Sequence, residues 1–118
     1  MIGTVEVINK YKHQRPVSQI VYIGRGSIFG NPWPVSMGRT ECIEKYRIET
    51  FEHNMNKPLS AYRKAVMALV ERVRKGESIY LQCFCAPQAC HGDIIKAYID
   101  KVVLRSQSKP PLPFTTLR

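Results

Sequence analysis

Residues 4–8 alternate, with Val5 and Val7 on one side and Thr4 and Glu6 on the other, which is the two-residue period of a strand. Residues 20–23 (IVYI) are apolar throughout and predict a central strand. Residues 78–83 (SIYLQC) are short, apolar and rich in β-formers, and predict another buried strand. Elsewhere the spacing is helical. Residues 41–51 turn Ile43, Tyr46 and Thr50 inward, behind Thr40 as N-cap. From Pro58, Leu59, Tyr62, Val66, Leu69, Val70 and Val73 make one face, and Gly76 stops the helix. Residues 91–104 carry a last stripe, Ile94, Ile95, Tyr98, Ile99, Val102 and Val103, and leave Lys96, Asp100 and Lys101 to solvent.

The order β-β-α-α-β-α predicts a single small α/β domain over residues 1–104. Its sheet is parallel or mixed, of about three to five strands, flanked by helices in a Rossmann-like arrangement. Residues 105–118 (RSQSKPPLPFTTLR) are polar, basic and rich in proline, and predict an extended or mobile tail. Residues 24–38 (GRGSIFGNPWPVSMG) cannot form a regular element, because Pro32 and Pro34 lack donors and the glycines invite special backbone angles. A loop of that length in a small domain is functional or disordered, and Phe29 and Trp33 argue for function by anchoring it.

Charge sharpens the picture. The 118 residues hold 18 Lys and Arg against 9 Asp and Glu, a formal net charge of +9. Such a bias points to a polyanion partner: a nucleotide, DNA, RNA or an acidic protein surface. No apolar run approaches the ~20 residues that cross a bilayer, and the first residues lack the layout of a signal peptide, so no membrane partner is expected. The expectation is a cytoplasmic protein with Cys42, Cys83, Cys85 and Cys90 reduced unless a metal takes them.

The chemistry-bearing residues fall in two segments. Residues 83–91 hold Cys83, Cys85, Cys90 and His91, all ligand types for zinc. Crowding within one short stretch counts against a structural zinc site, so no cofactor is favoured, although zinc held by three of the four stays open. Cys83 alone reads as a small buried hydrophobe. The other reading makes Cys90 and His91 a reactive pair at a helix N-terminus, where the dipole can lower a thiol pKa. His91 would then be the acid/base, Asp93 a helix cap or the group that orients the base, and Gly92 the point where a ligand approaches the backbone. The second segment, residues 24–33, follows a strand directly. There Arg25 can grip an anion, while Ser27 and Asn31 offer hydrogen bonds. It is neither a dinucleotide fingerprint nor a Walker loop.

IGRGSIFGNPW early, Arg39 and EKYR in the middle, and LQCFCAPQACHGDII late resemble the domain of unknown function 4326 family, found in phage and bacterial proteins. The likeness runs from Val5 to about Ile99. The shared polar set is Arg25, Ser27, Asn31, Arg39, Cys83, Cys85, Cys90, His91 and Asp93, with Phe84 where the family more often has Trp. The resemblance implies a small, often phage-encoded α/β domain, hence the host cytoplasm, and supplies no activity. Two functions stay open. One is a nucleotide- or nucleic-acid-directed protein with a Cys/His/Arg pocket, either binding only or hydrolysing or transferring a group, with Arg25 and Arg39 holding an anion. The other is a non-enzymatic protein that binds a host protein or nucleic acid and modulates it.

Overall fold

The computed structural model describes residues 2–85 and 88–108. Strands β1 (Val5–Asn9), β2 (Ile20–Tyr22) and β3 (Ile79–Cys83) form an open sheet in the order β1-β3-β2. Both pairings are parallel, with Val7 opposite Leu81 and Val21 opposite Leu81 on the other side. The domain is therefore α/β with an all-parallel sheet. The last strand in sequence takes the centre, as its apolar run requires: Ile79, Leu81 and Cys83 are buried. Because all three strands run the same way, Asn9, Tyr22 and Cys83 end at one edge of the sheet.

Helix α1 (Arg39–Lys45) passes into a π-helical segment (Tyr46–Glu52) and then a short α2 (His53–Met55). The N-cap is Gly38, at φ 109°, which suits glycine, and the predicted cap Thr40 lies inside the first turn. The π segment explains why the sequence stripe was thin. Tyr46 and Phe51 stand five residues apart, about 140° around an α-helix, yet both are buried. The wider turn brings them to one side, whereas Thr50 is half-buried and Ile48 exposed.

Helix α3 (Ala61–Arg74) begins after Ser60, whose Oγ accepts the Arg63 N–H at 3.0 Å, and not at Pro58. Leu59, placed on the inner face by its spacing, precedes the helix and is exposed; Tyr62, Val66, Leu69, Val70 and Val73 are buried as expected. Helix α4 (Gly92–Ser108) packs on α3 and on β1. It continues through 105–108, where an extended tail was expected; the rest of that predicted tail, 109–118, lies outside the described residues.

At the centre of the core, the Tyr46 hydroxyl donates to the Phe29 carbonyl at 2.8 Å and meets the Tyr62 hydroxyl at 2.7 Å. Burial pushes both phenols upward, Tyr62 to about 12 and Tyr46 further, so each stays a neutral hydrogen-bonding group. This pair fastens the predicted loop of residues 24–33 to the π segment and α3. Tyr46→Phe leaves a buried carbonyl and the Tyr62 hydroxyl without their partner and is expected to cost about 1–3 kcal/mol. Tyr62→Phe keeps the Tyr46–Phe29 bond and should cost clearly less. Urea-unfolding midpoints of the two variants decide it; equal losses would refute the assignment.

Candidate functional site

A cleft of about 270 Å³ opens at the carboxyl edge of the sheet. The loop after β2 contributes Gly24, Arg25, Asn31 and Trp33; the end of β3 contributes Cys83, Phe84 and Cys85. The start of α4 adds Ala89, Cys90 and His91, and α1 adds Arg39 and Cys42. The glycine-rich loop and the thiol-bearing turn thus line one cavity, because β2 and β3 are neighbours whose C-terminal ends lie together. Open parallel sheets carry their ligand crevices at this edge.

Helix α4 begins with a reciprocal cap. Cys90 Sγ accepts the Gly92 N–H at 3.3 Å, and Asp93 Oδ2 accepts the Cys90 N–H at 3.1 Å. This is the capping-box arrangement with a thiol in place of the usual hydroxyl. Asp93 is exposed, does not line the cleft and acts as a cap, not as an orienter of a base. Gly92 is also absent from the cleft wall. A Cβ there would meet Ile23 Cδ1 at 2.6 Å and Val7 Cγ1 at 3.3 Å. The residue is glycine because the helix start packs on β1 and the end of β2, and not to admit a ligand.

Cys90 Sγ lies 3.4 Å from Cys83 Sγ, and both residues are buried. Contact with Cys83, then burial, pushes the Cys90 thiol up, outweighing the Gly92 N–H. The direction is opposite to the lowering expected from the helix dipole: contact with Cys83 and burial favour the protonated thiol. His91 is buried too, with Nε2 2.7 Å from the Ile23 carbonyl and its ring 4.9 Å from that of Tyr46. Only a donor satisfies a carbonyl, so Nε2 carries the proton and Nδ1 is the acceptor. Burial lowers the His91 pKa, against the opposing pull of the Ile23 carbonyl and Asp93.

The anion-binding candidates divide. Arg25 donates from Nη2 to the Trp33 carbonyl at 3.4 Å, and Arg39 from Nη1 to the Ala89 carbonyl at 3.1 Å. Both side chains line the cleft, and among the described residues these bonds leave most of the N–H donors of each guanidinium without a partner. Asn31 is engaged at both ends: Oδ1 accepts the Trp33 N–H at 2.9 Å and Nδ2 donates to Cys42 Sγ at 3.2 Å. Ser27 does not reach the cleft. Its hydroxyl donates to the Gly24 carbonyl at 2.7 Å and closes the turn in which Gly26 takes φ 93°.

Cys42 lies outside both motif segments and was not among the site residues expected from sequence. Its Sγ donates to the Trp33 carbonyl at 3.1 Å, so all four cysteines of the chain line the cleft. Cys85 is the partly exposed one. Among the described residues no three His, Cys, Asp or Glu side chains are arranged to hold a metal ion.

The family model described as Domain of unknown function (DUF4326) matches residues 7–101, most of the chain. The chain belongs to that family. No curated protein and no solved structure matches it. The matched span takes in both walls of the cleft, from the loop after β2 to the α4 cap.

His91 predicts a pH dependence of stability. A folded pKa below the ordinary 6.5 means that the unfolded chain binds the proton more readily. The contribution of neutral His91 is complete above that value and is lost as pH falls below it toward the folded pKa. The urea midpoint of the wild type should therefore drop as pH is lowered from about 7 to 5. His91→Gln should be less stable at pH 7 and lack this component; an unchanged slope would refute it.

Proposed function

We propose that the protein is a nucleotide-binding domain whose cleft takes the base, while Arg25 and Arg39 hold the phosphate. The observation that carries this reading is one apolar-walled cleft at the carboxyl edge of a parallel sheet, with two guanidiniums over it. Trp33, Phe84 and the thiols make walls suited to a planar ring. Among the described residues neither arginine is ion-paired to a carboxylate, so both keep charge for an anion. The chain's net charge of +9 favours the same class of ligand.

The geometry supports binding over covalent catalysis. A nucleophilic Cys90 would need a thiolate, and its thiol is buried, pushed toward the protonated form by Cys83 and burial, and used as a helix cap. His91 commits Nε2 to a backbone carbonyl, and Asp93 lies off the cleft. Isothermal titration with adenosine, guanosine, cytidine and uridine monophosphates tests the proposal. At least one is expected to bind, with Arg25→Ala and Arg39→Ala each weakening it about tenfold, as loss of one charge-assisted contact implies. If none binds, or if both variants bind like the wild type, the reading is wrong.

A further inference from the structure

Beside the cleft, three aromatic rings stand in the open at the carboxyl edge of the sheet. Tyr11 follows β1, Tyr22 ends β2 and Phe84 follows β3; they are 79, 37 and 46% exposed. Phe84 is the hub, with ring centres 5.6 Å from Tyr11 and 6.2 Å from Tyr22. Large apolar side chains gathered at a surface, as opposed to scattered singly, mark a place where something docks. Phe84 also lines the cleft, so the aromatic face and the cavity are continuous.

The cluster is held in place from below. Asn9 is buried, and its Oδ1 accepts the N–H groups of Tyr11 at 2.8 Å and Lys12 at 3.2 Å. Its Nδ2 donates to the Phe84 carbonyl at 3.1 Å, and the His13 ring accepts the Asn9 N–H at 2.9 Å. One buried amide thus fixes the loop that presents Tyr11 against the turn that presents Phe84. Rings left exposed on so determined a scaffold are not a by-product of loop packing.

The charge around them is mainly positive. The Lys10 ammonium lies 5.8 Å from the Phe84 ring centre, and Arg25 and Arg39 line the adjoining cleft. Among the described residues none of these three is ion-paired to a carboxylate; of the acidic residues Glu41 and Asp93 are also without an ion pair, and the others are paired with Lys or Arg. Exposed rings interleaved with cations match a polyanion whose own flat faces are free to stack.

We infer that the Tyr11–Phe84–Tyr22 face is a stacking platform for single-stranded nucleic acid, seating a base next to the one held in the cleft. The inference rests on the nucleotide reading of the cleft and extends it from a mononucleotide to a strand. A duplex does not fit the same surface, because its base faces are already stacked on one another.

The test uses the whole chain with a labelled oligodeoxythymidylate and an oligouridylate of about twelve nucleotides, within the usual site sizes. Anisotropy reads oligonucleotide binding, and calorimetry reads the nucleoside monophosphates. Tyr11→Ala is expected to weaken oligonucleotide binding about tenfold, with Tyr11→Phe restoring it because the ring face suffices. Monophosphate affinity should not change, since Tyr11 lies outside the cleft. Lys10→Ala should lower the slope of log affinity against log salt by about 0.7, one phosphate contact on a single strand. A preference between the two oligonucleotides assigns DNA or RNA. Oligonucleotide binding indifferent to Tyr11→Ala, or a duplex bound as well as a single strand, overturns the platform, and a bound monophosphate then leaves the cleft reading standing. Monophosphates that fail to bind beside a Tyr11-dependent oligonucleotide support the platform and overturn the cleft reading. A Tyr11-dependent dimer that binds no oligonucleotide overturns the inference in favour of a second copy of the chain.

Discussion

The hydrogen bond from His91 Nε2 to the Ile23 carbonyl is the constraint on which the site depends. Strand β2 ends where this bond begins. The Ile23 N–H still reaches across to the Gln82 carbonyl at 3.0 Å, continuing the ladder with β3. Its own carbonyl faces a buried interior, where an unpaired acceptor is costly. The imidazole supplies the missing donor, and in doing so sets the first turn of α4 against the mouth of the loop. Tyr46 packs on that ring and donates to Phe29 in the loop. Three elements far apart in sequence therefore share one small polar junction, and the cleft lies above it.

A thiol suits the cap at this junction. A hydroxyl at Cys90 would be a stronger acceptor for the Gly92 N–H but would sit against Cys83 Sγ in a buried, largely apolar place. Sulfur accepts weakly and packs as a hydrophobe, and so serves both demands. The same balance holds for Cys42, which stands between Asn31 and the Trp33 carbonyl. Cys42, Cys83 and Cys90, all buried, read as soft packing around the cavity. Reactive chemistry needs a sulfur that is exposed and electropositive, and among the four only Cys85 is partly exposed.

Much of this was legible along the chain, and the failures have physical causes. β3 was readable as a buried strand from its apolar run, but the same criterion made residues 20–23 the central strand, and β2 lies at an edge of the sheet. Helix α3 was readable because its stripe keeps the helical period, and the meeting of the two motif segments followed from parallel strands ending at one edge. The first helix was read poorly because a π turn moves the buried positions from Thr50 to Phe51, which no 3.6-residue period predicts. Gly92 was given a role toward a ligand because it stands at a helix start, which is equally a packing problem, whereas for Asp93 the capping alternative is the one the structure bears out. The aromatic face left no trace in the sequence. Tyr11, Tyr22 and Phe84 sit on three separate strand ends, and Asn9 looks like an ordinary loop residue until its amide is seen joining two of them.

On the nucleotide reading, the division of polar groups has a consequence for selectivity. A site that hydrogen-bonds the edge of a base rejects the wrong base strongly, because a mismatched edge leaves buried donors or acceptors unpaired. Here the groups best placed to read an edge are spent on the protein itself: Asn31 at both ends, His91 at Nε2, and Cys90 on Cys83 and Gly92. What remains toward a ligand is mainly apolar wall and guanidinium charge, with the buried indole N–H of the cleft-lining Trp33 left without a partner among the described residues. Stacking and phosphate contacts are indifferent to base identity, since every base has a π-face and every nucleotide a phosphate. On that reading, a cleft whose internal hydrogen bonds occupy its edge-reading groups would sort ligands by ring size more than by base identity.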